Sequence, residues 1–330
     1  VREPDLIYVE EAVANHPVTA RIIERNPAAQ VIKIEAYTQL FHRQRQSFRL
    51  QKEHPALILA RSHGPFLYEA PQRIRTPGAE RSFYTDQWRN CLYDCDYCFL
   101  QGMHPSAYPV IFVNAEDYHR ASLAKAAEGP LLINTSFLTD ALSFESLVPT
   151  VDGWMDLADE HAQITIEVRT KSNVTEPFLN RDPLPNVRAV WTLSPEEVSR
   201  RYERGCAPLE ARIEALSSLS TAGWRPGVAM DPIVLFPGWQ EAYRRLIERL
   251  TEAVDPHLLA GVSYGVFRMA TGYLKTIRQS RADSPLLYHP FARTDGLATY
   301  GPEDINAVHS IIGDALRSHF GEHRVSFVHG

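Results

Sequence analysis

The chain has 330 residues, 44% of them hydrophobic, and its 34 Lys and Arg stand against 40 Asp and Glu for a formal net charge of −6. This composition supports a sizeable core and gives no support to binding driven by a strongly basic surface. No apolar run reaches the ~18 residues of a membrane span, and the opening VREPDLIYVE lacks the apolar centre of a secretion signal, so the expected setting is the cytoplasm.

Residues 1–80 read as an N-terminal α/β extension. An apolar run, Leu6–Val9, precedes a helix-like stretch from about Glu11 to Arg25. VIKIE (Val31–Glu35) and ALILA (Ala56–Ala60) read as short strands, with a polar helical segment, Tyr37–Lys52, between them. Pro71 and Pro77 flank a linker-like stretch.

From about residue 82 strands and helices alternate. Apolar runs occur at Phe83–Trp88, Val110–Val113, Leu131–Thr135, Ile164–Val168, Val187–Leu193, Gly227–Met230 and Ala260–Phe267. Helix-like segments, Ala115–Glu128, Ser146–Glu160, Pro208–Ala222 and Trp239–Val254, separate most of them. The alternation predicts an α/β fold with parallel strands, built as a partial TIM-like βα barrel over 81–270. A doubly wound open sheet has the same periodicity. The run 110–113 reads as a hairpin beside the barrel. Residues 271–330 read as a C-terminal extension on the substrate side: a polar stretch, a last helix (Pro302–Phe320) and a short apolar run (Val325–Val328). In a barrel of this kind, chemistry gathers at the C-terminal ends of the strands.

Four cysteines are present, and Cys91, Cys95 and Cys98 fall within eight residues, in RNCLYDCDYCFLQG. So few cysteines in a long chain argue against a disulfide framework and for metal binding. The C-x3-C-x2-C spacing follows the first barrel-like run. Three thiolates from one loop can hold three irons of a [4Fe–4S] cubane and leave the fourth for a non-protein ligand. S-adenosylmethionine (SAM) bound there through its amino and carboxylate groups can be cleaved to a 5′-deoxyadenosyl radical. A zinc site completed by Cys206 or a histidine such as His104 is the competing metal reading.

The spacing, with Tyr97 just before the third Cys, resembles the signature of the radical SAM superfamily. Within it the chain is similar to the spore photoproduct lyase family. The resemblance rests on Phe99-Leu100-Gln101 after the Cys loop, TSFLTD (Thr135–Asp140), VRTKS (Val168–Ser172), ERGCAPLEARI (Glu203–Ile213) and DPIVLFPGW (Asp231–Trp239). It implies a radical SAM partial barrel, a [4Fe–4S] cluster on Cys91, Cys95 and Cys98, and SAM as cofactor. It implies a SAM site lined by Tyr97, Thr139, Asp140 and Lys171, to which Ser194, just after the run Val187–Leu193, is added. The activity it implies is reversal of 5-thyminyl-5,6-dihydrothymine in DNA, fed by an electron donor such as flavodoxin or ferredoxin. From the residues alone, Lys171 and Asp140 are also strand-end positions, where a Lys can meet a carboxylate and an Asp can cap a helix.

The sequence departs from the family at the position of its hydrogen-donor Cys, which is Phe137 here, and at the Tyr after the third cluster Cys, which is Phe99. Cys206, in the loop before the helix at Pro208, is the remaining thiol and a candidate donor, with Tyr97 the other catalytic candidate. The stretch His289–Asp304, matching a basic hairpin in the family, has Arg293 as its only basic Lys or Arg and three acids after it. Upstream, Lys275, Arg278 and Arg281 form a modest basic run. Three readings follow: a lyase acting on a thymine photoproduct in DNA; a radical SAM enzyme of the same family acting on a small molecule, carbohydrate or peptide; and a non-catalytic metal-binding scaffold.

Overall fold

The computed structural model describes residues 3–71 and 79–328, so the stretch between Pro71 and Pro77 lies almost wholly outside the described residues. An eight-stranded sheet organises the site. From edge to edge it runs Leu67–Glu69, Ser82–Thr85, Leu131–Asn134, Ile164–Thr170, Val187–Thr192, Gly227–Ile233, Gly261–Val266 and Val325–Phe327. All neighbours are parallel except Leu67–Glu69, which runs antiparallel to Ser82–Thr85. Among the described residues the sheet keeps two edges and does not close. The fold is therefore the partial βα barrel that the alternation predicts.

The strands read as apolar runs because both faces are covered. Ile164, Ile166 and Val168 are all fully buried. The crossover helices cover the outer face with apolar stripes at helical spacing. Asp152–Glu160 buries Trp154, Met155, Leu157 and Ala158, and Trp239–Ala253 buries Tyr243, Leu246, Ile247 and Leu250.

A second sheet of five strands has the order Gln30–Ile34, Leu6–Glu10, Ala56–Ala60, Val110–Phe112, Trp88–Arg89. The run at 110–113 is thus not a hairpin beside the barrel. Val110–Phe112 pairs parallel with Ala56–Ala60 and antiparallel with Trp88–Arg89. Its three residues are all buried, and a strand so enclosed satisfies its backbone through a partner on each side. This sheet draws strands from both sides of residue 80, and Val325–Phe327 joins the barrel sheet from the far end of the chain.

Beyond the barrel, Ala292–Thr294 and Leu297–Thr299 form a hairpin. It turns at Asp295 and Gly296, with φ of +49° and +78°, the left-handed pair that a two-residue hairpin turn requires. The helix Thr271–Ser280 packs on the short helix Leu100–Met103, which follows the third cysteine. A Cβ built on Gly102 would lie 2.4 Å from the Tyr273 Cβ, so glycine permits the approach. No helix among the described residues is long and apolar enough to cross a membrane.

His104 caps the end of that short helix against the N-terminal sheet, its ring 5.0 Å from Phe41. Burial, followed by the charge of Arg89, lowers its pKa from 6.5 to about 4. The fold thus holds neutral an imidazole that the unfolded chain protonates below pH 6.5. The sign follows: stability is complete above pH 6.5 and falls as pH drops towards about 4. Between pH 6.5 and about 4 the urea midpoint of the wild type should fall further than that of His104→Phe. Equal losses in both proteins would remove His104 from the account.

Candidate active site

The cysteine loop begins with a forced turn. Asn90 has φ +61°, a left-handed conformation that asparagine tolerates, and its side-chain amide donates to the carbonyls of Ser106 (2.8 Å) and Tyr108 (3.1 Å). The Thr139 hydroxyl, from the loop after Leu131–Asn134, donates to the Asn90 carbonyl at 2.7 Å. Lys52, on the N-terminal helix Phe48–Glu53, donates to the carbonyls of Cys91 and Tyr93, the latter at 2.8 Å. Asp94–Cys95 pairs antiparallel with Glu203–Arg204, which sets Cys95 opposite Glu203.

The far side of the loop is held by Arg281, which is 1% exposed. Its guanidinium donates to Gln101 Oε1 at 2.9 Å, pairs with Asp94 and stands 3.8 Å from Asp96. Gln101 in turn donates to the Cys95 carbonyl at 2.8 Å. Of the basic run YLKTIRQSR, then, Arg281 is a buried anchor. Arg278 donates to the Leu287 carbonyl at 2.7 Å, and Lys275 is exposed.

Cys91, Cys95 and Cys98 share this loop and line one small cleft with Lys52. Burial pushes the Cys91 thiol up to about 12, helped by the charge of Asp140, and burial pushes Cys98 up to about 11. Thiols so desolvated become thiolates when a metal takes them. Among the described residues, no three His, Cys, Asp or Glu side chains converge on a point suited to one metal ion. A cubane needs its three thiolates on three separate irons, so the donor set fits a [4Fe–4S] cluster.

Around the loop lies a buried polar network. Glu203 is fully buried and receives the Tyr97 hydroxyl and the Ser194 hydroxyl, the latter at 2.9 Å. Arg212, equally buried, stands 2.6 Å from its second oxygen, a contact more electrostatic than well aligned. Burial alone would raise the Glu203 carboxyl, but Arg212 and Lys171 hold it below its ordinary value. Arg212 spends its other donors on the carbonyls of Ala207 (2.7 Å) and Thr192 (3.1 Å) and on the Ser199 hydroxyl (3.2 Å). The Tyr97 phenol is raised, first by burial and then by Glu203, and stays protonated.

Lys171 emerges at the end of Ile164–Thr170 with its ammonium 5.5 Å from the Tyr97 ring centre. It has no hydrogen-bonded or ion-paired side chain among the described residues. Burial would lower its pKa, yet the neighbouring Cys95 and Glu203 raise it above the usual lysine value. Asp140 is spent locally: its oxygens accept from the Lys171 backbone N–H (2.6 Å) and the Thr170 hydroxyl (2.9 Å). Burial raises the Asp140 carboxyl despite these bonds. Tyr97, Lys171 and Ser194 therefore meet around one centre, whereas Thr139 and Asp140 brace the loops that make it.

Cys206 lies on the cluster side of the mouth, its Sγ 3.5 Å from Cys95 Sγ. Burial pushes its thiol up, so it keeps its proton. Phe137 packs 4.7 Å from Tyr84 and 5.6 Å from Phe99, and Tyr84 stacks on Tyr68 at 5.2 Å. The expected donor position is thus part of an aromatic row. Glu203, Arg212, Lys52 and Arg281 carry much of the site, and the sequence alone assigns them no such part. The one available signal was ERGCAPLEARI, which contains both members of the buried ion pair.

Comparison with known proteins adds the following. A family model described as spore photoproduct lyase matches residues 2–284. A spore photoproduct lyase of Bacillus subtilis (strain 168) is 26% identical over 178 residues, covering 53% of this chain and 52% of that protein. One from Geobacillus sp. (strain Y412MC61) is 20% identical over 171 residues, 50% of each. The matched region spans about half the length of these curated relatives. Among solved structures, a spore photoproduct lyase complexed with dinucleoside spore photoproduct superposes with a TM-score of 0.82 at 16% identity, over 99% of this chain and 98% of that one. A variant lyase with bound AdoMet and the same dinucleoside gives the same score, identity and coverage. At such identity the likeness is one of fold.

Removing Arg212 while keeping Glu203 strands a buried charge. Arg212→Met should cost ~3–5 kcal/mol, and adding Glu203→Gln should recover part of it. Urea unfolding of both variants measures this. A single-variant loss below ~1 kcal/mol would mean that the pair does not hold the site together.

Proposed function

The chain belongs to the spore photoproduct lyase family, and from that membership we propose that it is a radical SAM enzyme that repairs a thymine photoproduct in DNA. Cys91, Cys95 and Cys98 would hold a [4Fe–4S] cluster. The observation that carries the reading is the three thiols lining one cleft at the C-terminal mouth of the barrel strands, with the Lys171 ammonium over the adjoining Tyr97 ring and in the field of Cys95. When bound, the cluster and SAM supply a 5′-deoxyadenosyl radical able to take a hydrogen atom from substrate.

The chain's own residues do the rest. Lys171 offers a charge-assisted contact to the SAM carboxylate. Glu203, kept ionised by Arg212, accepts the Tyr97 hydroxyl and so fixes the ring beside which the adenosyl group would lie. Ser194 supports the same carboxylate, and Thr139 and Asp140 keep the loops in register. Phe137, Phe99 and Tyr84 would line a water-poor wall for the substrate. The dinucleoside photoproduct in the superposed lyase supports a DNA lesion as substrate. Arg293, exposed on Ala292–Thr294, would be the basic residue that the hairpin offers to a strand. A one-electron donor protein such as flavodoxin or ferredoxin completes the set.

Phe137 favours a second reading. A ring in place of a thiol gives no hydrogen atom back, so a substrate other than DNA, a small molecule, carbohydrate or peptide, could leave the site dehydrogenated or rearranged.

Anaerobic reconstitution with iron and sulfide should give a brown protein that cleaves SAM to 5′-deoxyadenosine under reduction. Lys171→Ala should weaken SAM binding ~10- to 100-fold, the worth of a hydrogen bond to a charged group. Restoration of two thymine residues within photoproduct-containing DNA supports the first reading, and SAM cleavage with no repair at full cluster loading supports the second. A chain that loads no cluster contradicts both.

A further inference from the structure

Cys206 has another sulfur as its close neighbour. The segment after Val187–Thr192 returns to the cysteine loop and pairs with it, Glu203 opposite Cys95 and Arg204 opposite Asp94. The turn that follows is pinned on both sides. Gly205 takes φ +82° beside the Tyr93 backbone, the Cys206 N–H donates to the Glu203 carbonyl at 3.2 Å, and the Ala207 N–H donates to the Lys171 carbonyl at 3.0 Å. With the backbone fixed on each side, the Cys206 side chain is delivered to Cys95, Sγ to Sγ 3.5 Å.

That separation is too short for two thiolates on different irons of a cubane, and each iron of the cubane takes one protein sulfur. It suits an S–H donor meeting a ligand sulfur from outside. A hydrogen bond to a cluster thiolate stabilises the more negative, reduced cluster and raises its reduction potential.

We propose that Cys206 is a positioning residue for the cluster: its thiol donates to the Cys95 sulfur and raises the potential at which the cluster accepts its electron. This rests on the cluster reading above. The thiol is then directed at the cluster rather than at substrate.

The test is the potential itself, followed by the electron paramagnetic resonance signal of the reduced cluster during a redox titration of the SAM-free, fully loaded protein. Cys206→Ala and Cys206→Val remove the donor and leave different volumes. Both should shift the reduction equilibrium about tenfold against reduction, ~59 mV more negative for a one-electron couple. Cys206→Ser, which keeps an O–H donor, should stay near wild type. An Ala or Val protein at the wild-type potential overturns the proposal. So does loss of the cluster from all three variants, which would make Cys206 a ligand. A wild-type chain that takes up no cluster would instead overturn the underlying reading.

Discussion

The site depends on one buried charge. Glu203 lies beneath the barrel mouth with no access to water, and a carboxylate there is tolerable only because Arg212 faces it. Once ionised and fixed, it orders its surroundings. It takes the Tyr97 and Ser194 hydroxyls, adds to the field that keeps Lys171 charged, and sits on the short strand that pairs with Cys95. The stability of the mouth and its electrostatic character therefore have a common origin. Lys171 itself makes no ion pair among the described residues and lies over the Tyr97 ring, in the field of Glu203.

Two helices serve this centre from behind. Lys52 reaches in from Phe48–Glu53 and Arg281 from the end of Thr271–Ser280, each binding the cysteine loop through groups other than its sulfurs. The loop is thus gripped through its carbonyls and carboxylates, and that grip leaves its thiols to a metal. Gly102 completes the fit, since the helix behind the third cysteine must touch Tyr273 almost backbone to side chain.

The barrel was legible because its strands are buried on both faces and its helices carry regular apolar stripes, and both patterns survive in a linear string. The three cysteines were legible because their spacing is itself the chemistry. Val110–Phe112 was misplaced because a three-residue buried run has no periodicity to say which sheet it joins. Arg281 was hidden for a different reason. It ends a helix whose pattern suits a solvated basic face, and its partners lie 180 and 187 residues away. Burial of a charge is decided by such distant partners, so local pattern underrates it. Cys206 was read from sequence as a thiol in the loop before the helix at Pro208, and its distance to Cys95 depends on an antiparallel bridge of two residues, too short to read from sequence.

The grip of Arg281 also bears on the order in which the chain can assemble. A contact that closes so long a loop is slow to form, because the entropy of closure is lost before any contact repays it. The three thiols are joined in sequence early, but the frame that orients them is finished only when the helix ending near residue 280 has docked. A chain extended only as far as the cysteine loop therefore carries the three thiols without the frame that Arg281 completes.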